Sequence, residues 1–83
     1  MPTVAIVDGV KVQLYWDERP PPHFHAEYAE YRAIIDIETL EILEGDIPRP
    51  QYRKVVAWAR LREAKLLEAW INCQSDLNPG KIK

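Results

Sequence analysis

Two rhythms of apolar residues divide the chain: a two-residue alternation in its first half and a three- and four-residue recurrence in its second. Thr3 to Val7 and Val10 to Trp16 are strand-like, and two residues, Asp8-Gly9, separate them. Asp-Gly supplies the positive φ angles of a type I′ turn, which predicts a hairpin with Val7 opposite Val10 and Ala5 opposite Val12. Val10, Val12, Leu14 and Trp16 then share a buried face with Ala5 and Val7, while Lys11, Gln13 and Tyr15 look the other way. Asp17 to Pro22 is a loop, because three consecutive prolines cannot donate to a ladder and hold the chain extended.

A second hairpin is expected from His23 to about Ile37, turning at Ala29-Glu30. This register sets His23 opposite Asp36, Phe24 opposite Ile35, His25 opposite Ile34, Ala26 opposite Ala33, Glu27 opposite Arg32 and Tyr28 opposite Tyr31. Phe24, Ala26, Tyr28, Tyr31, Ala33, Ile35 and Ile37 form an apolar face. His23, His25, Glu27, Arg32, Ile34 and Asp36 form a largely polar one. Residues 38–41 turn the chain, and Ile42 to Glu44 adds a short strand that Gly45 stops.

Pro48 and Pro50 mark the entry to a helix, since proline is tolerated in a first turn. From about Arg49 to Cys73 there is neither glycine nor internal proline beyond that entry, which predicts one long helix. Tyr52, Val55, Val56, Ala59, Leu66, Leu67 and Trp70 form its apolar stripe. Glu63 falls inside the stripe, as a buried carboxylate or one paired with a base on the sheet; Trp58 and Leu61 fall outside it. The tail from Ser75 to Lys83 is expected to fray. The resulting architecture is α+β in a single domain spanning residues 1–83. A four- to five-stranded antiparallel sheet (1–47) packs on one long C-terminal helix (48–73), followed by a tail (74–83).

Composition narrows the function classes. At 83 residues with 47% hydrophobic and 29% charged positions, the chain reads as one ordinary globular domain. Its apolar runs are too short to span a bilayer, and no basic segment followed by an apolar one opens the chain, so a cytoplasmic location is expected. Cys73, the single cysteine, fits a structural thiol in a reducing compartment. Net charge is −2, unevenly spread. Asp17, Glu18, Glu27, Glu30, Asp36, Glu38, Glu41, Glu44 and Asp46 face only Arg19 and Arg32 in the first half. Arg49, Arg53, Lys54, Arg60, Arg62 and Lys65 face only Glu63 in the second. That asymmetry suits a protein partner or self-association and only weakly suits nucleic acid, with a solvated surface the plain reading for most of these charges.

The candidate chemistry centres on His23-x-His25. Residues i and i+2 of a strand share a face about 6.5–7 Å apart, close enough for two imidazoles to hold one metal ion. Asp36, across from His23, is the candidate carboxylate, as ligand or orienting partner; Glu27 lies about 13 Å from His23 by the same rise. No further ligand is evident. A divalent metal is therefore the one cofactor the pattern admits, and the expectation is none. As an acid–base site, His23 or His25 would move a proton while Arg32 steadies a phosphodiester, the minimal equipment of a metal-independent ribonuclease. The surrounding acids weigh against an RNA substrate. The plain alternative is a solvated polar face with His23 salt-bridged to Asp36.

Residues Pro21 to Tyr28, then Glu30 to Ala33, Ile35 to Thr39, Leu43 to Pro48, and Trp58-Ala59 through Leu66-Leu67 to Trp70 resemble a bacterial family of small proteins known as a domain of unknown function, DUF4160. The Pro-Pro-His-Phe-His block is the most specific part. The resemblance implies a stand-alone cytoplasmic protein, often encoded beside another small uncharacterised domain in an arrangement similar to toxin–antitoxin modules. It carries no established activity. Members usually have glycine where this chain has Ala29 and Leu40, and often histidine where Arg62 stands. The leading expectation is an interaction module that binds a neighbouring gene's small protein, or a second copy of itself. Trp58, Leu61 and Arg62, with the acidic hairpin, would form its contact surface, because aromatic residues dominate interface energetics. Ribonuclease-like chemistry and metal binding are the alternatives, and whether the chain is an enzyme stays open.

Overall fold

Both hairpins form in the expected register. The computed structural model describes residues 3–16, 18–75 and 77–82. Its elements run β1 (Thr3–Val7), β2 (Val10–Gln13), β3 (His23–Tyr28), β4 (Tyr31–Asp36), β5 (Ile42–Asp46), α1 (Arg49–Arg60) and α2 (Glu63–Gln74). The strands pair as an antiparallel meander in the order β1-β2-β3-β4-β5. Asp8 and Gly9 take φ of 52° and 84°, as a type I′ turn demands, and Val7 pairs with Val10. All six expected β3–β4 pairs are present, from Tyr28–Tyr31 to His23–Asp36.

One face of the sheet is dry. Val10, Val12, Leu14, Phe24, Ala26, Ala33, Ile35 and Ile37 join Val55, Ala59, Leu66, Ala69, Trp70 and Cys73 of the helices in a single buried cluster. Fully burying each large side chain contributes about 1.5–3 kcal/mol, so this layer holds the helices on the sheet. The other face is open, and its charges alternate across the strands. Lys11 lies opposite Glu27, Glu27 opposite Arg32, and Arg32 opposite Asp46. Opposite charges facing one another contribute about 0.2–1 kcal/mol per pair, so this row is self-compensating.

Several expectations are corrected. The single long helix is two helices, interrupted at Leu61-Arg62 without glycine or proline. Arg62 N–H bonds to the Ala59 carbonyl at 2.9 Å and its Nη1 to the Trp58 carbonyl at 2.9 Å, so Arg62 closes α1 where the ladder stops. A continuous stripe from Ala59 to Leu66 would have pressed Glu63 into the core. The interruption leaves Glu63 exposed in the first turn of α2, where a carboxylate suits the helix dipole, and still buries Leu66. Strand β2 ends at Gln13, and Trp16, expected on the buried face, is 39% exposed. In β1 the pairing shifts, Thr3 meeting Gln13 while Ala5 meets Val12, and the extra residue, Val4, turns into the core.

The third strand pair and the tail also differ. Gly45 does not stop β5 but lies within it at φ 82°, where an added Cβ would stand 2.2 Å from the Arg32 carbonyl oxygen. Only glycine fits there. The tail does not fray over its described residues: Ile82 is buried and its N–H bonds to the Val4 carbonyl at 2.8 Å, on the free edge of β1. Lys83, which the expected tail included, lies outside the described residues, as does Asp17 of the loop.

Ala29 and Leu40, non-glycine residues in turns, keep those turns by adopting φ of 52° and 63°. A left-handed conformation costs an L-residue about 1–2 kcal/mol. Leu40 is buried, so its side chain offsets that cost; the Tyr52 hydroxyl also bonds its carbonyl at 2.5 Å, fastening α1 to the turn. Ala29 is exposed and has no such offset. Ala29→Gly should therefore stabilise the fold by about 0.5–1 kcal/mol, raising Tm by several degrees in thermal unfolding. An unchanged or lower Tm would show that the turn is not strained.

Candidate metal centre

At one end of the open sheet face the loop before β3 folds back over its first residues. Strand alternation sends the side chains of His23 and His25 to the same side, and their ring centroids lie 5.3 Å apart. Each ring is held by an aromatic neighbour. Tyr15 stacks on His25 at 4.0 Å, and Trp70 of α2 lies 4.9 Å from His23. His23 is only 7% exposed, so it belongs to the interior and not to the solvated patch expected from the strand pattern.

The loop supplies what the strands do not. Glu18 reaches both rings, with Oε1 in hydrogen-bond contact with His25 Nε2 and 3.4 Å from His23 Nε2. One donor atom from each of Glu18, His23 and His25 lies within 4.8 Å of the other two. Sequence reasoning missed Glu18 because strand periodicity says nothing about where a loop side chain lands. The available signal was a carboxylate entering the proline run that leads directly into His-x-His.

His23 Nδ1 lies 2.8 Å from the Pro21 carbonyl oxygen. A carbonyl can only accept, so Nδ1 carries the proton and donates. In the neutral ring Nε2 is then a bare lone pair, buried without a hydrogen-bond partner and turned toward a carboxylate oxygen. Two electron-rich atoms facing one another in a part-buried place are unfavourable unless a donor or a cation comes between them.

The remaining candidate residues lie elsewhere. Asp36 is opposite His23 in the ladder, but its Oδ1 accepts the backbone N–H groups of Glu38 at 2.7 Å and Thr39 at 2.9 Å. It organises the β4–β5 turn, and the expected His23–Asp36 salt bridge is replaced by the contact with Glu18. Arg32 is directed to Glu27, at 3.4 Å, one row away from the histidines. Trp58 is half-buried against the core with the Arg62 guanidinium 5.1 Å from its ring centre, so it is not the exposed aromatic that was expected. Leu61 is exposed, at 83%. Cys73 is fully buried, and burial raises its thiol pKa, which suits an inert core thiol.

The sequence pattern of the family described as Domain of unknown function (DUF4160) matches residues 9–71, which takes in both histidines, Glu18 and most of α2. The chain belongs to that family. No curated protein and no solved structure matches it. The DUF4160 match thus spans the whole histidine end of the sheet but assigns it no chemistry. Among the described residues no helix is long and apolar enough to cross a membrane.

If the buried pair is as close as its geometry shows, replacing the carboxylate should relieve the clash. Glu18→Gln offers an N–H to the lone pair, and in metal-free protein it should match or exceed wild-type stability in chemical denaturation. A loss above about 1 kcal/mol would show that a second proton on His23 already neutralises the contact.

Proposed function

We propose that this protein binds a divalent transition-metal ion, of the zinc class, on Glu18, His23 and His25. The buried, unpartnered Nε2 of His23 carries the reading. Metal-bound histidines commonly donate their other N–H to a backbone carbonyl, which fixes the tautomer that frees the ligating nitrogen, and the Pro21 contact does this here. Metal–ligand bonds of about 2.0–2.1 Å in a tetrahedron separate neighbouring donors by about 3.3 Å. His23 Nε2 and Glu18 Oε1 already stand 3.4 Å apart. His25 would exchange its hydrogen bond with Glu18 for the ion, ligating through Nε2 with its ring proton on Nδ1. Two imidazoles and one carboxylate leave a tetrahedral ion one open position, as in sites that take up a water or a small ligand.

The measurement is zinc titration of chelator-treated protein by calorimetry. One ion per chain is expected, with affinity falling at least about a hundredfold in His23→Ala and in His25→Ala. At a hundredfold excess over Kd the ion should add about 2.7 kcal/mol to stability, seen as a rise in Tm. A folded wild-type chain that retains no ion, or equal affinity in both alanine variants, would sink the proposal.

A second reading rests on Leu61, an apolar side chain left 83% exposed at the α1–α2 junction. As an interaction module, the chain would present this junction and the basic surface of α1 to an acidic partner, either a second copy's acidic hairpin or a small protein encoded nearby in a toxin–antitoxin-like pair. Self-association then predicts a dimer by light scattering that Leu61→Asp dissociates. A monomer at all concentrations argues against a second copy. The ribonuclease reading draws less support, because without an ion a groove lined by Glu18, Glu27 and Glu44 repels a polyanion.

A further inference from the structure

Two concavities meet beside the three proposed ligands. One, of about 340 Å³, is lined by His25, Glu27 and Arg32; the other, of about 400 Å³, by Glu18, Arg19 and His23. Both include Ile34 and Glu44, so they adjoin as a groove along the open face, with His25 lining one part and His23 the other. Arg19 lies toward one end and Arg32 toward the other.

The charge of this groove depends on the ion. Among the described residues its walls carry three carboxylates, Glu18, Glu27 and Glu44, against the two guanidiniums, a net charge of −1 with neutral histidines. Empty, it repels anions. A dication reverses the sign to +1, and it does so at the point where a coordination position is open. The Arg32–Glu27 pair does not lock Arg32 away, since its side chain is 82% exposed and such a pair is weak.

Resting on the metal reading above, we infer that the loaded site takes a phosphate-class oxyanion as its exogenous ligand, one oxygen on the ion and the others toward Arg19 and Arg32. The apo groove has no comparable affinity. The ion therefore acts as a gate for anion binding, and the substrate class is phosphate or a phosphate ester. No bond is made or broken in this step; a metal-bound water leaves as the oxyanion enters.

Cobalt(II)-loaded protein, freed of excess metal, tests this at constant ionic strength. Inorganic phosphate should shift the visible absorption bands saturably, and Arg19→Gln and Arg32→Gln should each weaken the response about two- to fivefold. Calorimetry on apo protein should show phosphate binding at least tenfold weaker. If cobalt is held but phosphate leaves the bands unchanged, or strips the ion to give the aqueous spectrum, the inference falls while the metal reading stands. If both arginine variants respond as wild type does, the groove plays no part and the inference also falls. If no cobalt is held, both fall together.

Discussion

The hydrogen bond from His23 Nδ1 to the Pro21 carbonyl sets the chemistry of this molecule. It spends the only proton a neutral imidazole has on the loop, and so leaves the opposite nitrogen bare toward Glu18. Everything around it prevents an easy escape. Trp70 lies against the ring, His25 is held under Tyr15, and the side chain is almost wholly buried. The ring therefore cannot turn out to water to satisfy Nε2 without leaving a cavity behind it. The bare nitrogen calls for a donor or a cation, and an ion shared with Glu18 and His25 would meet that need.

That constraint contrasts with the rest of the open face. One row away, Lys11, Glu27, Arg32 and Asp46 alternate in sign across four strands and need nothing from outside. Asp36, which the ladder delivers opposite His23, gives Oδ1 to two backbone N–H groups of the β4–β5 turn. The fold satisfies its polar groups nearly everywhere by local pairing. Among the described residues the end of the sheet where the proline loop folds back is the exception, and the unsatisfied atom there is a good metal ligand.

Much of this was legible in the residues, and the reason is geometric. Two-residue turns set the register of the strands they join, so Asp8-Gly9 fixed three pairs of β1–β2 and Ala29-Glu30 all six of β3–β4 once alternation was recognised. The same logic failed wherever one residue was added or the backbone left its element. Val4 is buried because a bulge reverses the alternation. The helix breaks at Leu61-Arg62 because keeping Glu63 out of the core outweighs one turn of continuity. Trp16 emerges because β2 ends sooner than its pattern. Ile82 docks through a backbone bond that no side-chain period records. Half of the site, His23 and His25, followed from strand period; the other half, Glu18, depended on the path of a loop.

The choice between a proton and a metal ion turns on what each leaves behind. A proton on His23 Nε2 would point at Glu18 from 3.4 Å, long for a charge-assisted hydrogen bond, which normally closes to about 2.7–2.9 Å. Nothing in the backbone forbids that closure, since Glu18 sits on a loop and already makes close contact with His25. An ion, by contrast, requires the donors to stand apart by the length of a tetrahedral edge, and His23 and Glu18 do so before any ion is present. The spacing of that one pair favours the proposed ion over a proton, while the closer Glu18–His25 contact would have to open to admit it.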